Sequence, residues 1–337
     1  MERHDYDVLI VGGGPAGLSA ALVLARARRR VLVLDEQRPR NAPAGHVHNY
    51  LGREGTPPAR LLEIGRAEST ACGAEIRTGR VEHAEALAGG GFLVRTGQSS
   101  WRARRLLLAT GLVDELPQVP GVAELWGTDV LHCPYCHGYE VRDRALGVLA
   151  SSPAAVHQAL LWRQWSADVV LLAGEVELTD DDRRRLGARG IRIVDEPVVE
   201  LAIAEHRLRG VRLRDGSFLE REAIVVAPRF RARHALATTL GLEVVEHPFG
   251  EYIASDRQGV TTVPGVRVAG NLADLRGQVL TSAAAGLEAA AALNADLVDD
   301  DTERAVAAAE FSPGTERAVA DRVLGDRRHG IAEGLPR

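Results

Sequence analysis

From Asp7 to Val11 the chain is one acid followed by four apolar residues, and the run stops at Gly12-Gly13-Gly14. A short apolar run bounded by turn residues reads as a buried strand. Pro15–Ala27 has helical character, and Val31–Leu34 is a second apolar run. Thr56-Pro57-Pro58 breaks the pattern, after which Ala59–Cys72 looks helical. Ala74–Thr78, Phe92–Thr96 and Arg104–Leu108 read as short strands, with Gly89-Gly90-Gly91 as a turn. Residues 114–121 contain two prolines and a glycine, which suits a domain crossing. A second strand–helix–strand pattern follows: strand Ala145–Leu149, helix Ala154–Trp165, strand Val169–Leu172. Ile191–Val194, Val198–Ile203, Arg207–Leu213 and Ala223–Val226 are expected to extend that second sheet. The pattern changes again near His247-Pro248; Val266–Ala269 reads as a strand and Gln278–Leu297 as a long Ala-rich helix. The last stretch turns acidic and then holds Ser312-Pro313-Gly314, as in a peripheral helix or loose tail. Two such patterns predict an α/β chain with two related nucleotide-type halves.

Composition narrows this little. The chain has 337 residues, 45% hydrophobic and 26% charged, enough for two ordinary domains. A net charge of −5 does not suggest a nucleic-acid binder, and no apolar run approaches the ~20 residues of a membrane span. Met1–Asp7 is charged and lacks the apolar stretch of a signal peptide, so the expected compartment is the cytoplasm. All 41 basic residues are Arg, a bias that suits genome composition. The absence of Lys excludes Schiff-base chemistry and a Walker A lysine. Three cysteines cannot form a disulfide framework, but Cys133 and Cys136 form a CxxC, which in a cytosolic chain points to redox or metal chemistry. Cys72 stands alone in the Ala59–Cys72 helix and reads as a buried inert thiol.

Gly12-Gly13-Gly14-Pro15-Ala16-Gly17 lies between a strand and a helix, where a dinucleotide fingerprint belongs. Gly12 permits the tight turn, Gly14 lets backbone approach a pyrophosphate, and Gly17 lets helix pack on strand. The helix N-terminus supplies N–H groups and positive dipole to phosphates. Asp35 closes the next strand, with Glu36 beside it, where a carboxylate accepts from ribose hydroxyls. Ala109-Thr110-Gly111 ends one later strand, and Val266 to Asn271, with Gly270-Asn271 at its end, closes another.

With these pieces the chain resembles the FAD/NAD(P)-linked disulfide oxidoreductases of the low-molecular-weight thioredoxin-reductase type, over roughly residues 5–298. The resemblance implies two Rossmann-like, doubly wound, three-layer domains. A discontinuous FAD domain would comprise 1–116 and 247–300, an inserted NAD(P)H-like domain carrying the CxxC 117–246, and a tail 301–337. It implies FAD as cofactor and a homodimer. The family usually has Gly-Asp where this chain has Gly270-Asn271; Asn still hydrogen-bonds a hydroxyl. Arg276-Gly277-Gln278 and the following Val279 resemble the segment that lies against the flavin at the start of the last helix. Any positive charge beside a reduced flavin would then come from Arg276, a histidine or a helix N-terminus.

Cys133-Pro134-Tyr135-Cys136-His137-Gly138 sets two sulfurs within disulfide reach. The alternative is a zinc half-site completed by His132, His137 or a remote histidine. The resemblance implies that Cys136 is flavin-proximal, that Cys133 exchanges with substrate, and that His137 stands where the family has an acid–base Asp. His titrates near neutrality and suits that work; a purely structural imidazole is the plainer alternative.

The second half lacks the fingerprint. Ala150-Ser151-Ser152-Pro153 stands where NADPH-dependent members have glycines, and Ala155 matches the small third residue. Their phosphate-gripping arginines align with Ala173-Gly174-Glu175, and Glu175 repels a phosphate. Arg183-Arg184-Arg185 offers a substitute but suits a solvated helix face. A retained fold with a degraded nucleotide turn resembles the dithiol oxidase branch of the gliotoxin, holomycin and romidepsin type, in which oxygen replaces NADPH. Asn41-Ala42-Pro43 with His46, His48 and Asn49 is similar to that branch and would lie over the flavin. His46 or His48 would then be further proton carriers, or simply surface residues. The expected activity is oxidation of a small-molecule dithiol to an intramolecular disulfide, with molecular oxygen as acceptor and peroxide as product. No membrane or nucleic-acid partner and no metal is expected. An NAD(P)H-dependent disulfide reductase and a flavin-bound redox sensor remain the alternatives.

Overall fold

A computed structural model describes residues 5–97, 99–310 and 313–324. The expected tail beyond Leu324 and the first four residues lie outside this range. The chain divides into two compact units, Met1–Ala290 and Ala291–Arg337.

Within the first unit the opening sheet is built on Tyr6–Val11, whose last five residues are buried. It pairs in parallel with Val31–Asp35 on one side and Ser99–Leu108 on the other, with Leu9 opposite Leu32 and Ile10 opposite Leu107. Glu75–Thr78 extends one edge in parallel, and Val266–Val268 pairs in parallel with the far end of Ser99–Leu108. Phe92–Thr96 and His83–Ala86 continue antiparallel, giving seven strands. Strands buried on both faces explain the continuous apolar runs. The second sheet is all parallel, in the order Arg192–Val194, Val169–Leu172, Leu146–Leu149, Ala223–Val225, Val130–Leu131. Helix Ala155–Trp162 covers it and buries Trp162 completely. The two Rossmann-like halves expected from the sequence are therefore present as an α/β fold.

Several local expectations need correction. Val198–Ala204 and Arg207–Leu213 do not extend the second sheet; with Phe218–Glu220 they form a separate antiparallel sheet. Glu205 and His206 both adopt positive φ (53° and 60°), the two-residue hairpin turn that folds one strand back on the other. Arg207–Leu213 accordingly shows a mostly alternating burial pattern. A four-stranded sheet not anticipated from the sequence joins Val244–His247, Gly250–Ile253, Arg229–Ala232 and Leu112–Glu115. The crossing near residue 114 thus begins as a strand, and His247-Pro248 is the tip of a hairpin. The helix read as ending at Leu297 runs from Val279 to Glu310. No glycine or proline falls between Leu287 and Glu310, so nothing in the chain stops it there. Cys72 is the half-buried C-cap of Pro58–Ala71 rather than a buried helical residue.

Candidate active site

The first glycine turn is built by close approaches that only glycine permits. Gly12 has φ +106°, and a Cβ there would lie 2.3 Å from the Ala109 carbonyl oxygen. A Cβ on Gly17 would lie 1.8 Å from the Gly12 oxygen, so the helix could not start so close to the strand. Among the described residues nothing lies within 4 Å of the place a Cβ on Gly14 would take. Gly14 caps helix Pro15–Arg26 without a side-chain partner, with Pro15 in its first turn. Open space in front of an uncapped helix N-terminus is the cradle a pyrophosphate needs. Asp35 accepts from the Gly13 N–H (2.6 Å) and the Gln37 N–H (2.8 Å), which draws the acid onto the turn. Glu36 beside it pairs with Arg80 at 3.8 Å.

Two of the other predicted flavin-motif segments, at Ala109 and Gly270, close on this turn. Ala109 donates to the Val11 carbonyl at 2.8 Å, and the Thr110 hydroxyl donates to the Arg233 carbonyl at 3.0 Å. Gly111 and Gly270 both have φ +70°. A Cβ on Gly270 would sit 2.9 Å from that of Ala16, and one on Gly286 would sit 2.0 Å from the Ala16 carbonyl oxygen. The long helix that begins at Val279 therefore packs against the start of the first helix. The residues present fit FAD on these grounds: a glycine cradle, an acid at the next strand end, and two further strand ends closing on it.

Cys133 follows strand Val130–Leu131 and caps the short helix Pro134–His137. Its carbonyl accepts from the N–H groups of Cys136 (3.1 Å) and His137 (3.2 Å). Both cysteines are free and half-buried. The Cys133 thiol is lowered from 9.0 to about 7. The largest cause is a hydrogen bond from Cys136; the N–H groups of Cys136 and Tyr135 and the Gln278 amide add to it, against burial. Cys136 is driven the other way by the same hydrogen bond, by burial and by the Cys133 charge. The pair thus divides into one ready thiolate and one retained thiol. Gln278 Nε2 lies 3.9 Å from Cys133 Sγ, which brings the start of the last helix to the dithiol.

His137 is largely enclosed, and among the described residues neither ring nitrogen has a hydrogen-bond partner. Burial lowers its pKa, with Glu140 opposing. A neutral imidazole with both nitrogens unpaired beside a thiol pair can take or give a proton. The segment holding His46, His48 and Asn49 grips the same helix. Asn49 donates to the Tyr135 carbonyl at 2.5 Å, and the His46 and His48 rings are 6.1 Å apart. His48 lies 2.6 Å from Glu54 and 3.4 Å from Glu140. No group of three histidines, cysteines or acids among the described residues is arranged to hold a metal.

Where the second nucleotide turn would be, Ser151, Ser152, Pro153 and Ala154 are exposed, and the N–H groups of Ala155 and Val156 donate back to the Ser152 and Pro153 carbonyls. Glu175 is paired with Arg214 at 2.8 Å. Arg183 pairs with Asp195, and Arg184 with Asp181, so both charges serve the helix surface.

Sequence reasoning missed Arg40. Its guanidinium forks onto Asp114 (2.8 and 2.6 Å) and reaches Asn271 Oδ1 at 3.2 Å. Arg40, not Arg276, is the arginine whose charge acts on Cys136, whereas Arg276 is exposed. No local pattern marks it, because its partners lie 74 and 231 residues away.

Comparison with known proteins places these features. The model of the pyridine nucleotide-disulphide oxidoreductase family matches residues 6–291. The chain is 34% identical over 311 residues to thioredoxin reductase tcpT of Claviceps purpurea, covering 86% of this chain and 95% of that protein. It is 32% identical to thioredoxin reductase sirT of Leptosphaeria maculans, covering 86% and 93%. Among solved structures it is similar to HlmI, at 51% identity and TM-score 0.85, covering 90% of this chain and 96% of that one. Among the described residues no helix is long and apolar enough to cross a membrane.

Proposed function

The chain belongs to the pyridine nucleotide-disulphide oxidoreductase family, and within it we propose an FAD-dependent oxidase of small-molecule dithiols. The observation that carries this reading is a contrast within one chain. The dithiol and the first glycine cradle are intact, while the second nucleotide turn bears side chains and Glu175 in place of a phosphate grip. FAD, when bound, supplies the acceptance of two electrons from the dithiol and their passage to oxygen.

The chain's own residues do the rest. Gly12, Gly14, Pro15, Ala16 and Gly17 would hold the pyrophosphate, Asp35 and Glu36 the ribose side, and Ala109 to Gly111, Gly270, Asn271, Gln278 and Val279 the remainder. With Cys133 and Cys136 joined as a disulfide, one substrate thiolate attacks Cys133 and displaces the Cys136 sulfur. The second substrate thiolate then attacks the substrate sulfur of the mixed disulfide and releases Cys133. The substrate leaves as a disulfide, and the enzyme holds two thiols. His137 relays the proton of each attacking substrate thiol to the cysteine sulfur that is displaced, so the exchange releases no net proton. Overall, one dithiol and one O2 give one disulfide and one H2O2. His46 and Asn49 line the segment over the dithiol helix, and the enzyme works as a homodimer in the cytoplasm.

The test is stoichiometric. With a small aliphatic dithiol in air, holoenzyme is expected to consume one O2 and release one H2O2 per disulfide formed, and C133S to do neither. Disulfide formation only when NADP+ is supplied as acceptor contradicts the proposal.

A further inference from the structure

Asn271 stands at a position where its two amide ends face opposite chemistry. Its Oδ1 accepts from Arg40 at 3.2 Å, while its Nδ2 donates to the carbonyls of Asp274 (2.9 Å) and Gly277 (2.8 Å). A guanidinium has only donors, so the amide oxygen must face Arg40 and the amide nitrogen must face the two carbonyls. A carboxylate at 271 would satisfy Arg40 but would turn an acceptor toward two acceptors. The turn closed by these bonds leads directly into Gln278, whose Nε2 lies 3.9 Å from Cys133 Sγ. Arg40 is itself held: Nε and one terminal nitrogen go to Asp114, and the guanidinium carbon sits 5.1 Å above the Phe230 ring. All three of its nitrogens are thereby used, two on Asp114 and the third on Asn271.

We propose that Arg40 is a positioning residue of the dithiol centre: anchored by Asp114, it sets the Asn271 amide that closes the 271–277 turn and keeps Gln278 against Cys133. The inference rests on reading Cys133 as the exchanging thiol. Geometry rather than charge is the working element at Cys133: the Arg40 charge bears on Cys136, whereas what reaches Cys133 is the Gln278 amide, and a point charge cannot fork onto Asp114 and reach Asn271 together. The Gln278 contact is one of the interactions that hold Cys133 near neutrality, so its loss raises the pH at which Cys133 becomes nucleophilic.

The experiment is the pH dependence of iodoacetamide alkylation of Cys133 in chemically reduced, flavin-loaded enzyme, a readout independent of turnover and of the electron acceptor. R40M is expected to move the midpoint up from about 7 by about half a unit, roughly halving the alkylation rate at pH 7. N271L acts on the same chain from its other end and is expected to move it equally; it carries the test alone if R40M does not fold. R40K, which keeps the charge and loses the fork, is expected to behave as R40M. An unchanged midpoint in N271L or in a folded R40M overturns the proposal, and so does full restoration by R40K. Failure of oxygen-linked dithiol oxidation in wild-type enzyme sinks the functional reading while leaving this midpoint comparison interpretable.

Discussion

In the sheet that begins at Tyr6, the turn into the first helix has four glycines in six residues; in the sheet built on Leu146–Leu149, Ala150-Ser151-Ser152-Pro153 fills that place with none. The strand order around both turns is that of a parallel α/β sheet, and the strands beneath both are buried, apart from Tyr6 at the start of the first. The fold of each half comes from those strands: Val8, Leu9 and Ile10 in one, Leu146, Val148 and Leu171 in the other, all without solvent exposure. The second turn is exposed from Ser151 to Ala154 and adds little to its core, whereas Gly13, Ala16 and Gly17 of the first are buried. The second half therefore keeps its buried sheet with no glycine in that turn. The second half keeps a different asset, the dithiol at the end of Val130–Leu131.

Substitutions can break this contrast. The largest effect is expected at Gly17, where any Cβ meets the Gly12 oxygen at 1.8 Å. G17V should cost about 3 kcal/mol through overpacking and abolish flavin retention, read by denaturant unfolding and by absorption of the purified protein. Near wild-type stability with flavin bound would show that the turn is not the constraint described here.

Next in size is a pH effect on the half that kept its chemistry. Because the Cys133 thiol is lowered to about 7, its thiolate, and with it the alkylation rate of the reduced enzyme, rises with pH through that point. Between pH 5 and pH 7 the rate should climb about fiftyfold and then level off. Cys136, pushed upward by the same hydrogen bond, should stay unlabelled over that range. A midpoint near the ordinary thiol value, or equal labelling of both cysteines, would remove the division of labour between them.

How much of this could be read before any coordinates follows from how local each signal is. The Gly12–Gly17 turn was legible because its constraint lies within six residues and one strand–helix junction. The CxxC was legible for the same reason, and His137 came with it by adjacency. The parallel strands showed as apolar runs because they are buried on both faces. The sheet joining Leu112–Glu115, Arg229–Ala232 and Gly250–Ile253 did not show: its members are short and partly charged, and Leu112–Glu115 pairs with Arg229–Ala232 across more than a hundred residues. The hairpin at Glu205-His206 escaped because neither residue is a glycine, though both take the left-handed conformation. Arg40 escaped because its meaning lies in Asp114 and Asn271, which only the fold brings to it.

Smaller effects sharpen the same comparison. Ala155 stands where the first half has Gly17, and it already carries a methyl. A155G should therefore cost only about 1 kcal/mol, the ordinary helix penalty, and leave flavin content unchanged by absorption. A loss as large as that of G17V would mean that the two turns are equally constrained. Smallest of all, R214A breaks an exposed pair with Glu175 and should shift unfolding by no more than about 0.5 kcal/mol. It should also leave the enzyme indifferent to NADPH; a gain or loss of NADPH response on this change would place a working phosphate site where the comparison puts none.

In the proposed function the second half handles a dithiol and not a pyridine nucleotide. The most direct measurement is to add NADPH, and separately a small dithiol, to flavin-loaded enzyme without oxygen and follow the flavin absorption. The dithiol is expected to bleach it and NADPH to leave it unchanged; prompt bleaching by NADPH would contradict a second half that works on a dithiol alone.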